Sequence, residues 1–234
     1  MATENPHNTS SFIIGWIAAL SHELTAARMM LDEEYLDDPE DFAQHTVDHN
    51  TYTWGRICNH LVVIAVLPSG RYGTSSAQAA AIGMLASLPN IRVGLMVGIG
   101  AGVPTAGIRL GDIVYDAYKA KSLSNGHVAE LRGFLNAPPD ALLATLARLK
   151  STHDMGDSAV DKFLREAYER RPNVRKYDRP AAVDSDPEQT TVSDTLPKVH
   201  YGTIASGEVL FKNATQRDDV LARLARANIK ATCL

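Results

Sequence analysis

Cysteine is nearly absent from this 234-residue sequence: Cys58 and Cys233 stand far apart, with no Cys-x-x-Cys spacing. That excludes a zinc ribbon or a disulfide framework and fits a reducing compartment. A basic surplus is missing too, since 23 Lys and Arg face 27 Asp and Glu, for a formal net charge of −4. Binding to a nucleic-acid backbone, which uses a basic stripe, is therefore not expected. No apolar run reaches the ~20 residues that span a bilayer, so no membrane partner is expected either. The run Phe12 to Leu20 stops at Ser21-His22-Glu23, and the polar start MATENPHNTSS has no basic region of the kind that opens a signal peptide. A cytoplasmic location follows as the expectation. The eight histidines suggest no metal site, and no cofactor is expected. What is present is 45% hydrophobic residues, enough for a sizeable core, and the length suits one domain over residues 1–234.

Continuous apolar runs bounded by turn residues predict buried strands at 12–20, 61–67 and 91–99, with further strand signals at 108–116 and 200–208. The segment 51–57 before Asn59-His60 predicts a hairpin with 61–67. Helical spacing marks 24–31, an alanine-rich stretch after Ser75-Ser76, then 138–150, 160–170 and 216–227, and a last strand opens near Lys230. Buried strands separated by helices, with glycine loops at their C-terminal ends, argue for an α/β fold whose ligands sit at those loops. The acidic block from Asp32 to Asp41 reads as a solvated helix end and loop, because it lacks calcium-loop spacing. The interval 172–198, rich in Pro, Asp, Ser and Thr, reads as a surface insertion.

Two glycine-rich turns are candidate sites. Gly98-x-Gly100-x-Gly102 follows a strand, but a turn and another strand come next, so no helix supplies the dipole of a dinucleotide fold. Its glycines suit either close backbone approach to a ligand or tight packing. Arg71, Gly73 and Thr74 lead into a helix N-terminus, where free amides and the positive dipole end suit either an anion or an ordinary strand-to-helix turn with a hydroxyl cap, and the Gly-Lys-Ser/Thr of a Walker loop is absent. Glu23, just past the first strand, is placed either to act as a general acid or base or to complement a helix dipole. Ser206 lies in Ala-Ser-Gly-Glu, which is not a hydrolase elbow.

Three segments in order resemble the nucleoside phosphorylase and nucleosidase superfamily: Ile14 to Glu23, then Met96 to Gly102 continuing through Leu110-Gly111-Asp112-Ile113-Val114, then Gly202 to Glu208. The run from Asp48 to Thr74 is similar to the branch found as an N-terminal effector domain of fungal NLR-like and ankyrin-repeat proteins. The resemblance implies a three-layer α/β sandwich around a mixed, partly barrel-like sheet. It implies cleavage of the N-glycosidic bond of a purine nucleoside or nucleotide through an oxocarbenium-like transition state. Glu23 would then activate water, Gly98, Ile99, Gly100 and Ala101 would lie beneath the ribose and nucleophile, and Ser206, Gly207 and Glu208 would sit near the base. The arginine and serine that hold phosphate in phosphorylases are replaced by Met96 and Ile99, which favours hydrolysis over phosphorolysis. The family's Met-Glu segment and base-protonating aspartate would fall beyond Leu234, so the resemblance implies an incomplete domain and leaves open a nucleoside-binding or assembly module without turnover. Relatives assemble as dimers or hexamers, so a homo-oligomer is expected.

Overall fold

The first apolar run forms β1 (Ile14–Ala18), and after Ala19 and Leu20 the chain turns into α1 (Ser21–Met30). Then come β2 (Glu33–Tyr35), β3 (Tyr52–Ile57), β4 (His60–Val66), α2 (Thr74–Ser87) and β5 (Val93–Met96). The hairpin between β3 and β4 turns at Cys58, whose φ of +51° is the left-handed conformation that a tight turn demands. These elements come from a computed structural model that describes residues 4–108, 111–116, 140–156, 159–177, 197–205, 214–226 and 230–234. The described residues fall in two compact units, the first running to Ile99 and including Glu166–Val174.

In the first unit the strand order is β2-β3-β4-β1-β5. β2, β3 and β4 pair antiparallel, whereas β1 lies parallel to β4 and β5, so the sheet is mixed. Alternation along β4 assigns its two faces. Val62 and Ile64 pack with Trp16 and with Ala27 of α1, while Val63 and Ala65 pack with Phe12, Trp54 and Met84 of α2. Helix, sheet and helix form the three layers expected of a sandwich. Because β4 is covered on both faces, it reads as an unbroken apolar run rather than an alternating one. Each fully buried Val or Ile contributes about 1.5–3 kcal/mol.

The long stretch from Leu36 to Thr51 is irregular yet anchored. Phe42 sets its ring edge-on against Trp54 at 5.2 Å, and the Trp54 indole donates to Asp38 at 2.6 Å. Asp48, only 5% exposed, accepts hydrogen bonds from the Tyr52 hydroxyl (2.6 Å), the Ser87 hydroxyl and the Asn50 amide (3.0 Å). The Asn50 side chain in turn donates to the Ala80 carbonyl of α2 at 2.8 Å.

The second unit holds β6 (Ile113–Asp116), β7 (Val199–Ile204) and β8 (Ala231–Cys233) in a parallel sheet of that order. The Asp112 carboxylate ties the starts of β6 and β7, accepting from the Lys198 amide at 2.9 Å and lying 2.9 Å from His200 Nε2. The unit's helices are α3 (Asp140–Asp154) and α5 (Ala214–Arg226), together with the first part of α4 (Val160–Arg170), whose residues from Glu166 on belong to the first unit. His153 of α3 reaches the Tyr201 hydroxyl at 2.8 Å, and Tyr201 stacks on Tyr115. Among the described residues neither sheet closes into a barrel, and no helix is long and apolar enough to cross a membrane. Of the interval 172–198, Pro172–Tyr177 form a short 3-10 turn and residues 178–196 lie outside the described residues. The strand β2 within the acidic block differs from the loop that its composition suggested.

Burial opposes charge on Asp48, but the hydrogen bonds from Ser87, Tyr52 and Asn50 outweigh it and hold the carboxyl below its ordinary value. A depressed native pKa adds stability above the unfolded value of about 3.9 and loses it as pH falls through the native one. Asp48→Asn should therefore lower stability at pH 7 by about 1–3 kcal/mol and flatten its loss below pH 4. Urea midpoints at pH 7 and pH 3 test this, and an unchanged acid slope would count against the assignment.

Candidate functional site

Parallel α/β sheets bind ligands beyond the C-terminal ends of their strands, where neighbouring strands send their connections to opposite faces. In the first unit that point lies between β1 and β4. The chain leaving β1 enters α1 on the Trp16 face, and the chain leaving β4 enters α2 on the opposite face. The two strand ends stay paired, with the Leu67 amide donating to the Ala18 carbonyl at 3.0 Å. Three loops leave this edge: Ala19–Leu20, the 67–73 turn, and the glycine loop after β5.

Glu23 occupies the third position of α1, from which a glutamate reaches back to amides ahead of the helix. Its Oε2 accepts from the Ala19 amide (2.7 Å) and the Leu20 amide (2.9 Å), and its Oε1 accepts from the Ile99 amide at 2.7 Å. Leu20, the N-cap residue, has no side-chain acceptor of its own, so Glu23 supplies the satisfaction that α1 needs at this end. Glu23 as a residue is 6% exposed, and its carboxylate spans 76 residues of sequence to reach the glycine loop. A carboxylate offers about four lone-pair sites, so one remains for a water or a hydroxyl.

Gly98 is glycine because of this carboxylate. A Cβ there would stand 2.6 Å from Glu23 Oε1 and 2.9 Å from its carboxyl carbon. Next to it the Ile99 side chain is 73% exposed and Met96 63% exposed, so the rim of the loop is apolar. Glu23, Gly98 and Ile99 are thus brought together in the first unit. Gly100 and Ala101 belong to the second unit, where the Ala101 amide donates to the Leu234 carbonyl at 2.9 Å and Gly102 bridges to Cys233. A Cβ on Gly100 would collide with the Cys233 sulfur, so that glycine admits β8.

Gly73 is the N-cap residue of α2 with φ +88°, and no side chain caps the helix there. Arg71 and Thr74 beside it are exposed. Ser206, Gly207 and Glu208 lie outside the described residues. Among the described residues no group of three or more His, Cys, Asp or Glu could hold a metal. His45 and His49, four apart, lie in an irregular loop instead of on one helix face. Sequence reasoning missed the main-chain donors around Glu23, for which a glutamate at the third helical position was the available signal.

No family model matches the chain. The fold matches solved nucleosidases. A 5'-methylthioadenosine/S-adenosylhomocysteine nucleosidase from Colwellia psychrerythraea, in complex with adenine, superposes with a TM-score of 0.54 at 14% identity, covering 95% of this chain and 72% of that one. The corresponding nucleosidase of Streptococcus pneumoniae, in complex with 8-aminoadenine, gives 0.51 at 17% identity over 94% and 73%. Futalosine hydrolase of Helicobacter pylori gives 0.50 at 12% identity over 95% and 73%. The chain therefore has the nucleoside phosphorylase/nucleosidase fold. In sequence it is similar to a nucleotide-binding leucine-rich repeat (NLR)-like protein of Hyaloscypha variabilis, 36% identical over 88% of this chain. That match spans about a quarter of the relative's length, 23%.

Glu23→Gln replaces an acceptor oxygen by an amide that must face a main-chain N–H, and Gly98→Ala drives a Cβ into the same carboxylate. Each should cost about 1–3 kcal/mol of unfolding free energy. Circular dichroism in urea reads the loss, and wild-type stability in both variants would show that the Glu23 contacts are dispensable.

Proposed function

We propose that the chain, taken as one domain over residues 1–234, acts on the N-glycosidic bond of a purine nucleoside or nucleotide by hydrolysis. The observation that carries this reading is a buried carboxylate fixed by three amides at the switch point of a nucleosidase fold. A sugar passing through an oxocarbenium-like state gains positive charge, which a fixed carboxylate stabilises without reorganising. The remaining lone pair of Glu23 suits an attacking water, and Gly98 and Ile99 supply the backbone beside it. Ser206, Gly207 and Glu208 are assigned to the base. Met96 and Ile99 present hydrocarbon where a phosphorolytic site needs anion-binding side chains, so water is the favoured nucleophile. For a nucleotide, Arg71, Gly73 and Thr74 at the start of α2 would meet the phosphates.

Release of free base from adenosine and from ATP, followed chromatographically with and without phosphate, tests this proposal. Base release independent of phosphate, falling by about 10²-fold or more in Glu23→Ala, is the expected result. A strict phosphate requirement would make the reaction phosphorolysis. The similarity to an NLR-like protein supports a second reading, a nucleoside-sensing module without turnover, and calorimetric binding of adenosine with no base release would establish it over the first.

The chain is further proposed to self-associate through α2. Its fourteen residues carry no charge, and Ile82 and Leu85 stand 56% and 51% exposed on its outer side. An uncharged apolar helix face accepts a second copy of itself without repulsion. Light scattering should give a multiple of 25.4 kDa for the wild type and a monomer for Ile82→Glu. A monomeric wild type would end this part of the proposal.

A further inference from the structure

The outer face of α1 holds a second charged centre, on the side away from Glu23. At about 100° per residue, Glu23 and Ala27 point to the sheet, while Thr25, Arg28 and Met29 lie on the far side. The segment following α4 covers that side. Arg171 Nη2 donates to Glu34 Oε2, and Arg28 donates to Glu34 Oε1 through Nε at 2.7 Å and Nη2 at 2.6 Å. Thr25, Arg28, Met29, Arg171 and Val174 line an open cleft of about 60 Å³ between the helix and the segment.

The charge in this cleft is unbalanced. Two guanidiniums share one carboxylate, and both oxygens of that carboxylate are already engaged. The neighbouring acids do not correct it, because Asp32 is paired with Arg170 at 2.6 Å and Glu33 with Arg56 at 3.4 Å. Each guanidinium has five N–H groups in a planar fork, and among the described residues most of those on Arg28 and Arg171 have no acceptor. The side chains are 45% and 37% exposed, so these donors remain within reach of solutes. Met29 and Val174 close the cleft with apolar walls that add no competing acceptor.

We propose that this cleft binds one tetrahedral oxyanion of the phosphate class. Charge-assisted hydrogen bonds from two forks suit several oxygens on one centre, and the added negative charge relieves the repulsion between the arginines. The volume sets the class of ligand. A pocket for a whole nucleoside needs about 300 Å³ or more, so the cleft suits the oxyanion itself, with any attached group lying outside. The site is independent of the cleavage proposed above and stands whether or not the chain turns over nucleosides.

Thermal unfolding in sodium phosphate and in sodium chloride at equal ionic strength tests the site, with parallel arms in adenosine 5'-monophosphate and adenosine. Inorganic phosphate should raise Tm by about 2–4 °C at a few times its dissociation constant. Arg171→Gln and Arg28→Gln should each lose that increment, and either variant suffices where the other does not fold. An arginine-dependent rise with the monophosphate and none with free phosphate would also support the site and identify an ester as its ligand. No rise with either, or a rise that survives both substitutions, overturns it.

Discussion

One carboxylate holds together the edge of the first unit beyond the ends of β1 and β5. Glu23 accepts main-chain hydrogen bonds from Ala19 and Leu20, which join β1 to α1, and from Ile99 in the loop after β5, so two separate loops share one acceptor. Main-chain amides have no rotamers, and their positions follow from the sheet register. The pairing of Ile17 with Met96 sets how far beyond the strand Ile99 lies, and the helix start sets where Glu23 lies. The glycine at 98 is a consequence of that meeting, since a side chain would occupy the space of the carboxylate. Nucleosidases of 12–17% identity superpose on this chain, so the fold itself does not depend on most individual side chains.

The sequence was informative where local rules and the fold agree. Helix α4 falls at Val160–Arg170, where the spacing predicts it, and β1, β4 and β5 fall within their apolar runs. The glycine loop stands out because three alternating glycines after a strand are uncommon, and Glu23 because it falls at a helix start directly past a buried strand. What stayed hidden depended on partners distant in sequence. Asp32 to Asp41 suggests a solvated loop because seven acids in ten residues repel one another. In the folded chain Glu33–Tyr35 form β2, Glu34 is buried between Arg28 and Arg171, and Asp38 caps the Trp54 indole. Arg171 is 137 residues from Glu34, beyond the reach of any window or spacing rule.

The choice of donor explains the difference between the two charged centres that α1 helps to build. Glu23 is held by neutral amides in a buried position, so salt does little to its environment. Glu34 is held by guanidiniums that are more than a third exposed, and such pairs weaken as ionic strength rises because water and counterions compete for the same charges. The inner face of the helix is thereby committed to a fixed geometry, while the outer face remains chemically open. A carboxylate meant to meet a developing cation needs the first environment, since any reorganisation during reaction would cost part of the stabilisation. A site that exchanges ions with solvent needs the second. One ten-residue helix supplies both because its 3.6-residue period separates the faces.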